Sequence, residues 1–346
     1  MSGVEEFSRL ARQLRDEQSA ARPVVEELRR NPDAALRDEW MTAGAVRALT
    51  AASRDLLEQS PSASAALAER ATEMVAALDD DYPRALRGHL AANAWKELAN
   101  ALRYLSDYAA ALHALDQADA ALAEVITAAH ARAVMALARA AALRDGGRPS
   151  EALPLLALAS AVFEEHADRV REAQCELLAG VLSHRGGDEA SAARSYRHAI
   201  ELGEESGDLR TIAAGYSNLG LLNAETGHPD EAFEALQRGR ARFRELHAMT
   251  ELARADWGVG VALRRSGRFE ASIPVLRDAR SAFRSFGMTE EAALVGMELA
   301  EAYVAVNRRN AARRVLLAAV AEFRAANLAE RAAVAERAVG GLAEKR

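Results

Sequence analysis

Glycine and phenylalanine recur along this chain with a period of 40 residues, and that period restricts the fold more than any other feature of the sequence. Phe243, Phe283 and Phe323 follow one another at this step, with Phe163 two steps earlier. Gly147, Gly187, Gly227 and Gly267 keep the same step. So do Gly180, Gly220 and Gly260, flanked in the series by Ala140 and Ala300. A fixed period of this size marks a solenoid, in which each unit buries its apolar face against a neighbour like itself.

One period, residues 208–247, predicts two antiparallel helices. Tyr216, Leu219, Gly220 and Asn223 share one face of the first, at three- and four-residue steps. Gly227 provides a left-handed stop, and Pro229 sits in the first turn of the second helix, where its missing N–H is no loss. Ala232, Leu236, Gly239 and Phe243 then share a face of that helix. A glycine or alanine inside the first helix lets the second approach closely, and the phenylalanine fills the joint to the next hairpin. Seven such pairs are expected, with turns at Ser60-Pro61, after Leu102, and near Gly147, Gly187, Gly227, Gly267 and Asn307. Gly207, Gly287 and Asn327 mark joints between pairs. The chain therefore divides into residues 1–40, read as an N-terminal helical cap with a separate effector module as the alternative, an array over 41–327, and a closing helix and tail over 328–346. Phe7, Leu10 and Leu14 give the cap its apolar stripe.

Composition supports an all-α reading. Half of the 346 residues are hydrophobic but only 5 % are aromatic, so the apolar content is mostly alanine and leucine, which favour helix and close helix–helix approach. The formal net charge of −7 argues against a duplex-binding module. One cysteine, Cys175, allows no internal disulfide. The N-terminus has no apolar signal-peptide core, and the longest uncharged run, Ala152 to Phe163, is too short to span a bilayer. A cytoplasmic protein is expected.

The residues resemble tetratricopeptide repeats. Trp95-x2-Leu98-Ala99-x2-Leu102 with Ala111-x3-Leu115 follows that consensus, as does Tyr216-x2-Leu219-Gly220 with Ala232-x3-Leu236. The period departs from the roughly 34-residue standard unit, and the closing proline is absent. The longer unit is similar to the repeat arrays of bacterial signalling and regulatory proteins. The resemblance covers residues 41–327 and implies a right-handed superhelical solenoid of antiparallel helix hairpins whose concave face holds a peptide or protein segment. Two readings follow: a non-enzymatic interaction scaffold, or a regulator whose superhelix changes shape when a ligand or peptide binds.

No catalytic residues, metal ligands or cofactor motifs are expected, since the eight histidines are scattered and no phosphate-binding loop is present. Groove candidates are the polar positions on the first helices. In the second hairpin these are Asn93, Lys96, Asn100 and Arg103. Lys96 and Asn100 stand where the carboxylate-clamp subfamily of these repeats has its first lysine and asparagine. The downstream positions differ, holding Ala138, Gln174 and Leu178; a solvated polar face is the alternative for the pair. Arg103, Arg144, His184 and Arg264 share one repeat position near the end of each first helix. They read either as a basic stripe for acidic or terminal-carboxylate groups, or as cations stabilising the helix dipole. Gln174, Asn218, Arg254 and Trp257 complete the candidate groove, with Arg265, Glu298 and Glu301 nearby. A groove tryptophan is a natural anchor; a packed one is the alternative.

Overall fold

The computed structural model describes residues 3–326 and 328–344, with side chains omitted at 3, 4, 6, 7, 343 and 344. The expected joint at Asn327 and the Phe7 side chain therefore lie outside the described residues. Seventeen α-helices and one short 3-10 turn make up the described chain, which is an all-α, tetratricopeptide-like repeat fold. They fall into two compact units, Met1–Cys175 and Glu176–Arg346.

In the first unit, α1 (Gly3–Ala20) and α2 (Arg22–Arg30) precede the turn Asp38–Trp40. Helices α3 (Ala43–Leu56) and α4 (Pro61–Ala76) then pair, as do α5 (Arg84–Tyr104) with α6 (Tyr108–Ala121) and α7 (Ala129–Asp145) with α8 (Pro149–Glu165). Helix α1 packs on α3 closely enough that Gly44 N donates to Glu17 Oε2 at 3.0 Å, and Tyr82 Oη donates to the other oxygen at 2.8 Å. Leu28, Leu49 and Met74 are fully buried between these elements.

Helix α9 (Arg169–Arg185) is followed in the second unit by α10 (Glu189–Ser206), α11 (Leu209–Glu225), α12 (Pro229–Glu245), α13 (Met249–Arg265), α14 (Phe269–Ser285), α15 (Thr289–Ala305), α16 (Arg309–Ala325) and α17 (Ala329–Glu344). The periodic residues sit where the hairpin argument needs them. Phe243, Phe283 and Phe323 are buried, as is Phe163 in the first unit. A Cβ at Gly220 would lie 2.6 Å from Leu236 Cγ, and one at Gly180 2.6 Å from the Tyr196 ring. Neither position has room for a side chain.

Left-handed residues punctuate the chain about every 20 positions. Gly147, Gly187, Gly227, Gly267 and Asn307 turn within hairpins, and Ala167, Gly207, His247 and Gly287 turn between them. Glycine suits this conformation because an L side chain crowds the following carbonyl there. Ala167 (φ 53°) and His247 (φ 53°) adopt it without being glycine, and alanine rarely does. The packing of the hairpins on either side imposes it.

Ion pairs tie each hairpin to the next. Within the first unit Arg54 reaches Glu97 at 2.7 Å and Arg103 reaches Asp145 at 2.7 Å. Within the second, Arg210 reaches Glu251 at 2.6 Å, Arg264 reaches Glu298 at 2.6 Å, and Arg280 reaches Glu322 at 2.9 Å. Each links a helix to its counterpart one period on.

Candidate functional site

The first helices of the hairpins leave one face uncovered by their own second helices, and each unit forms an open groove there. In the first unit the groove encloses about 650 Å³ between α3, α5, α7 and the start of α9. Asn93, Lys96, Asn100 and Gln174 all lie on its wall. Lys96 Nζ binds Glu97 Oε1 at 2.6 Å, and Asn100 Nδ2 donates to Glu97 Oε2 at 3.2 Å. The carboxylate that this lysine and asparagine hold is therefore the chain's own. Burial alone would raise the Glu97 carboxyl, but the charges and hydrogen bonds of Lys96 and Arg54 outweigh it and keep it below the usual carboxylate range.

Arg103 and Arg144 do not line this groove. They converge on Asp145, at 2.7 Å each. Burial raises the Asp145 carboxyl, while Arg144 and Arg103 more than reverse that, and the net direction is down. In the second unit His184 Nε2 lies 2.7 Å from Glu225 Oε2, and Arg264 meets both Glu298 and Glu301. Arg103, His184 and Arg264 thus each meet an acid on the next first helix, while Arg144 meets Asp145, its neighbour on α7. For Arg103 and His184 the acid lies 42 and 41 residues after the cation.

The second groove encloses about 400 Å³ across α11, α13 and α15. Asn218, Arg254 and Trp257 line it, with Arg265 and Glu298. Leu221, Leu236 and Phe243 supply an apolar floor, and Gly258 admits Leu221 and Leu236, whose methyls would lie 3.0–3.1 Å from a Cβ there. Trp257 is half-buried and meets Phe283 edge-to-face, with ring centroids 6.1 Å apart. It is therefore both packed and part of the groove wall. Trp257 Nε1 and Ser217 Oγ are buried without a hydrogen-bond partner among the described residues. Each such group costs about 1–3 kcal/mol in a folded chain. Ser217, one period before Trp257, joins the groove wall beside the polar positions read from the sequence.

Arg240 of α12 pairs with Asp256 of α13. Among the described residues no group of three or more His, Cys, Asp or Glu side chains could hold a metal ion, and no helix is long and apolar enough to cross a membrane.

The helix pairs and their open first-helix faces form a tetratricopeptide-like repeat fold. No protein-family model matches the sequence, and no curated protein matches it. Among solved structures, a Rap protein complexed with competence and sporulation factor superposes with a TM-score of 0.59 at 14 % identity, over 99 % of this chain and 96 % of that one. Aspartyl phosphate phosphatase F from Bacillus subtilis superposes with a TM-score of 0.56 at 12 % identity, over 99 % and 95 % of the two chains. The apo form of the quorum sensor NprR from B. thuringiensis gives a TM-score of 0.56 at 12 % identity, over 99 % and 100 %. The likeness is one of fold alone.

Proposed function

We propose that this protein is a non-enzymatic binding protein that holds a peptide or protein segment in the groove of its second unit. The observation that carries the reading is the combination of an apolar floor, Trp257 on the wall, and two buried polar atoms left without partners. An apolar side chain of the segment would enter beside Trp257, Leu221 and Phe243. Asn218 would pair with its backbone, since an amide offers both donor and acceptor. Arg254 and Arg265 would meet an acidic side chain or terminal carboxylate through guanidinium forks. The fold likeness to a Rap protein solved with competence and sporulation factor supports a ligand-holding role for the same architecture. The division into a cap over 1–40, an array over 41–327 and a closing segment over 328–346 belongs to this proposal; the packing of α1 on α3 supports the first part. A cytoplasmic location is part of the same reading.

Selection from a displayed random peptide library tests it. Enriched peptides should carry an apolar residue and lose binding by roughly 30-fold or more in Trp257→Ala, the range of an anchor residue. Asn218→Ala, which leaves the Phe283 contact intact, should weaken the same peptides. Absence of enrichment, or affinities unmoved by both substitutions, would sink the assignment. A shape-changing regulator is the second reading. It predicts that an enriched peptide alters the small-angle scattering curve, whereas a scaffold keeps it unchanged.

A further inference from the structure

The groove of the first unit takes no part in the peptide reading, and its wall differs in chemistry from that of the second. Every fully charged side chain on that wall is a cation: Arg54 from α3, Lys96 from α5 and Arg171 from α9. His89 and His130 stand beside them, and no aspartate or glutamate lines the opening. The chain as a whole has a net charge of −7. The wall of the second groove, by contrast, carries three glutamates and two arginines.

Two carboxylates lie behind the cationic wall. Glu97, 1 % exposed, engages Arg54 and Lys96, and Asp168 engages Arg171 and His130. Three full cations against two carboxylates leave one positive charge in excess, and it is the cations that line the groove. These carboxylate partners also hold those side chains in place beforehand, so little rotamer freedom is lost when a ligand arrives. Arg54 and Arg171 keep 58 % and 41 % of their side chains exposed, which leaves guanidinium edges open to a ligand. Two guanidinium forks and an ammonium form a donor set matched to the oxygens of a carboxylate or phosphate. The amides of Asn93, Asn100 and Gln174 add neutral donors on the same wall. A volume of about 650 Å³ lies within the range of small-molecule sites.

We infer that the first unit's groove binds a small oxyanion, a phosphate- or carboxylate-bearing molecule held by Arg54, Lys96 and Arg171. The site is independent of any peptide in the second groove. Isothermal titration of the full chain, with inorganic phosphate in one arm and citrate in the other, tests it against sodium chloride at matched ionic strength. Saturable 1:1 binding is expected in at least one arm, and the stronger arm identifies the anion. Arg54→Gln combined with Arg171→Gln should weaken it roughly tenfold or more. Removing an exposed arginine elsewhere, Arg277→Gln, should leave it unchanged. Gln174→Glu, which places a carboxylate at an exposed wall position without removing any cation, should weaken it as well. Circular dichroism establishes that each variant is folded before titration. Lack of saturable binding in both arms up to ~1 mM, or binding that survives both the double substitution and Gln174→Glu, overturns the inference.

Discussion

A single added carbon at Gly220 should destabilise the protein, although glycine is the poorer helix former. The ideal Cβ would stand 2.6 Å from Leu236 Cγ and 3.0 Å from both Ala232 O and Leu236 N. Comfortable carbon–carbon contact is about 3.5–4.0 Å, so α11 and α12 must part by about 1 Å or Leu236 must leave its fully buried site. Two of the three clashing atoms are backbone and cannot rotate away, which places the overpacking cost near the upper end of its range, about 3 kcal/mol. The helix-propensity gain of Gly→Ala returns about 1 kcal/mol. Gly220→Ala should therefore cost about 2 kcal/mol net. Gly340, inside α17 with nothing within 4 Å of its Cβ direction, isolates the propensity effect. There the same change should stabilise by up to ~1 kcal/mol. Urea denaturation followed by far-UV circular dichroism measures both. If Gly220→Ala is as stable as the parent chain, close helix approach is not what glycine does at this position.

Phe283→Ala should cost about 3–5 kcal/mol, because the ring is fully buried at the joint to the next hairpin. It should also shift Trp257 fluorescence, since the two rings are in edge-to-face contact; an unchanged emission spectrum would refute that coupling. Ala167→Gly should stabilise by about 0.5–1 kcal/mol, as it relieves a left-handed alanine at the expense of a freer unfolded chain. A lowered midpoint in thermal melting would contradict this. Acidification should destabilise the first unit. The carboxyls of Glu97, Asp145 and Asp168 all lie below their ordinary values in the folded chain. Their contribution is complete above the unfolded-state values of about 4 and disappears as pH falls through the folded ones. Melting temperature should drop between pH ~5 and ~3, and Glu97→Gln should flatten that drop; an equal slope in the variant would remove Glu97 from the account.

Much of the architecture was legible because helix hairpins depend on residue types with few substitutes. Gly227 and Pro229 announce a turn through backbone conformation, and Gly220 announces contact through the space it leaves. Ala167 and His247 take the same left-handed conformation as their glycine counterparts, yet neighbouring packing alone dictates it there. The stripe of Arg103, Arg144, His184 and Arg264 was legible as a pattern and ambiguous as a role. A cation in the last turn of a helix suits the helix dipole, an acidic ligand or an acid on the next hairpin equally well. The acids that Arg103, His184 and Arg264 meet, Asp145, Glu225 and Glu298, become visible only in space. Lys96 and Asn100 show the same ambiguity at closer range, since Glu97, adjacent in sequence, turned out to be the carboxylate they hold.

The contrast between fixed and free positions also explains why two grooves of one architecture differ in chemistry. Where the second helix approaches, the repeat accepts only Ala140, Gly180, Gly220, Gly260 and Ala300. Three residues earlier in the same helices stand Leu137, Leu177, Ser217, Trp257 and Met297. That position accommodates a hydroxyl, an indole or an aliphatic chain, and the facing helix adjusts to it: Gly239 stands where a Cβ would lie 2.5 Å from Ser217 Oγ, and Phe283 meets the Trp257 ring. Residues of this kind, Leu137 in the first unit and Ser217 with Trp257 in the second, are found on the groove walls. The period that specifies the fold therefore leaves the ligand chemistry unspecified at these sites. A cationic groove and an apolar one can then arise in the same chain while the close-approach positions stay glycine or alanine.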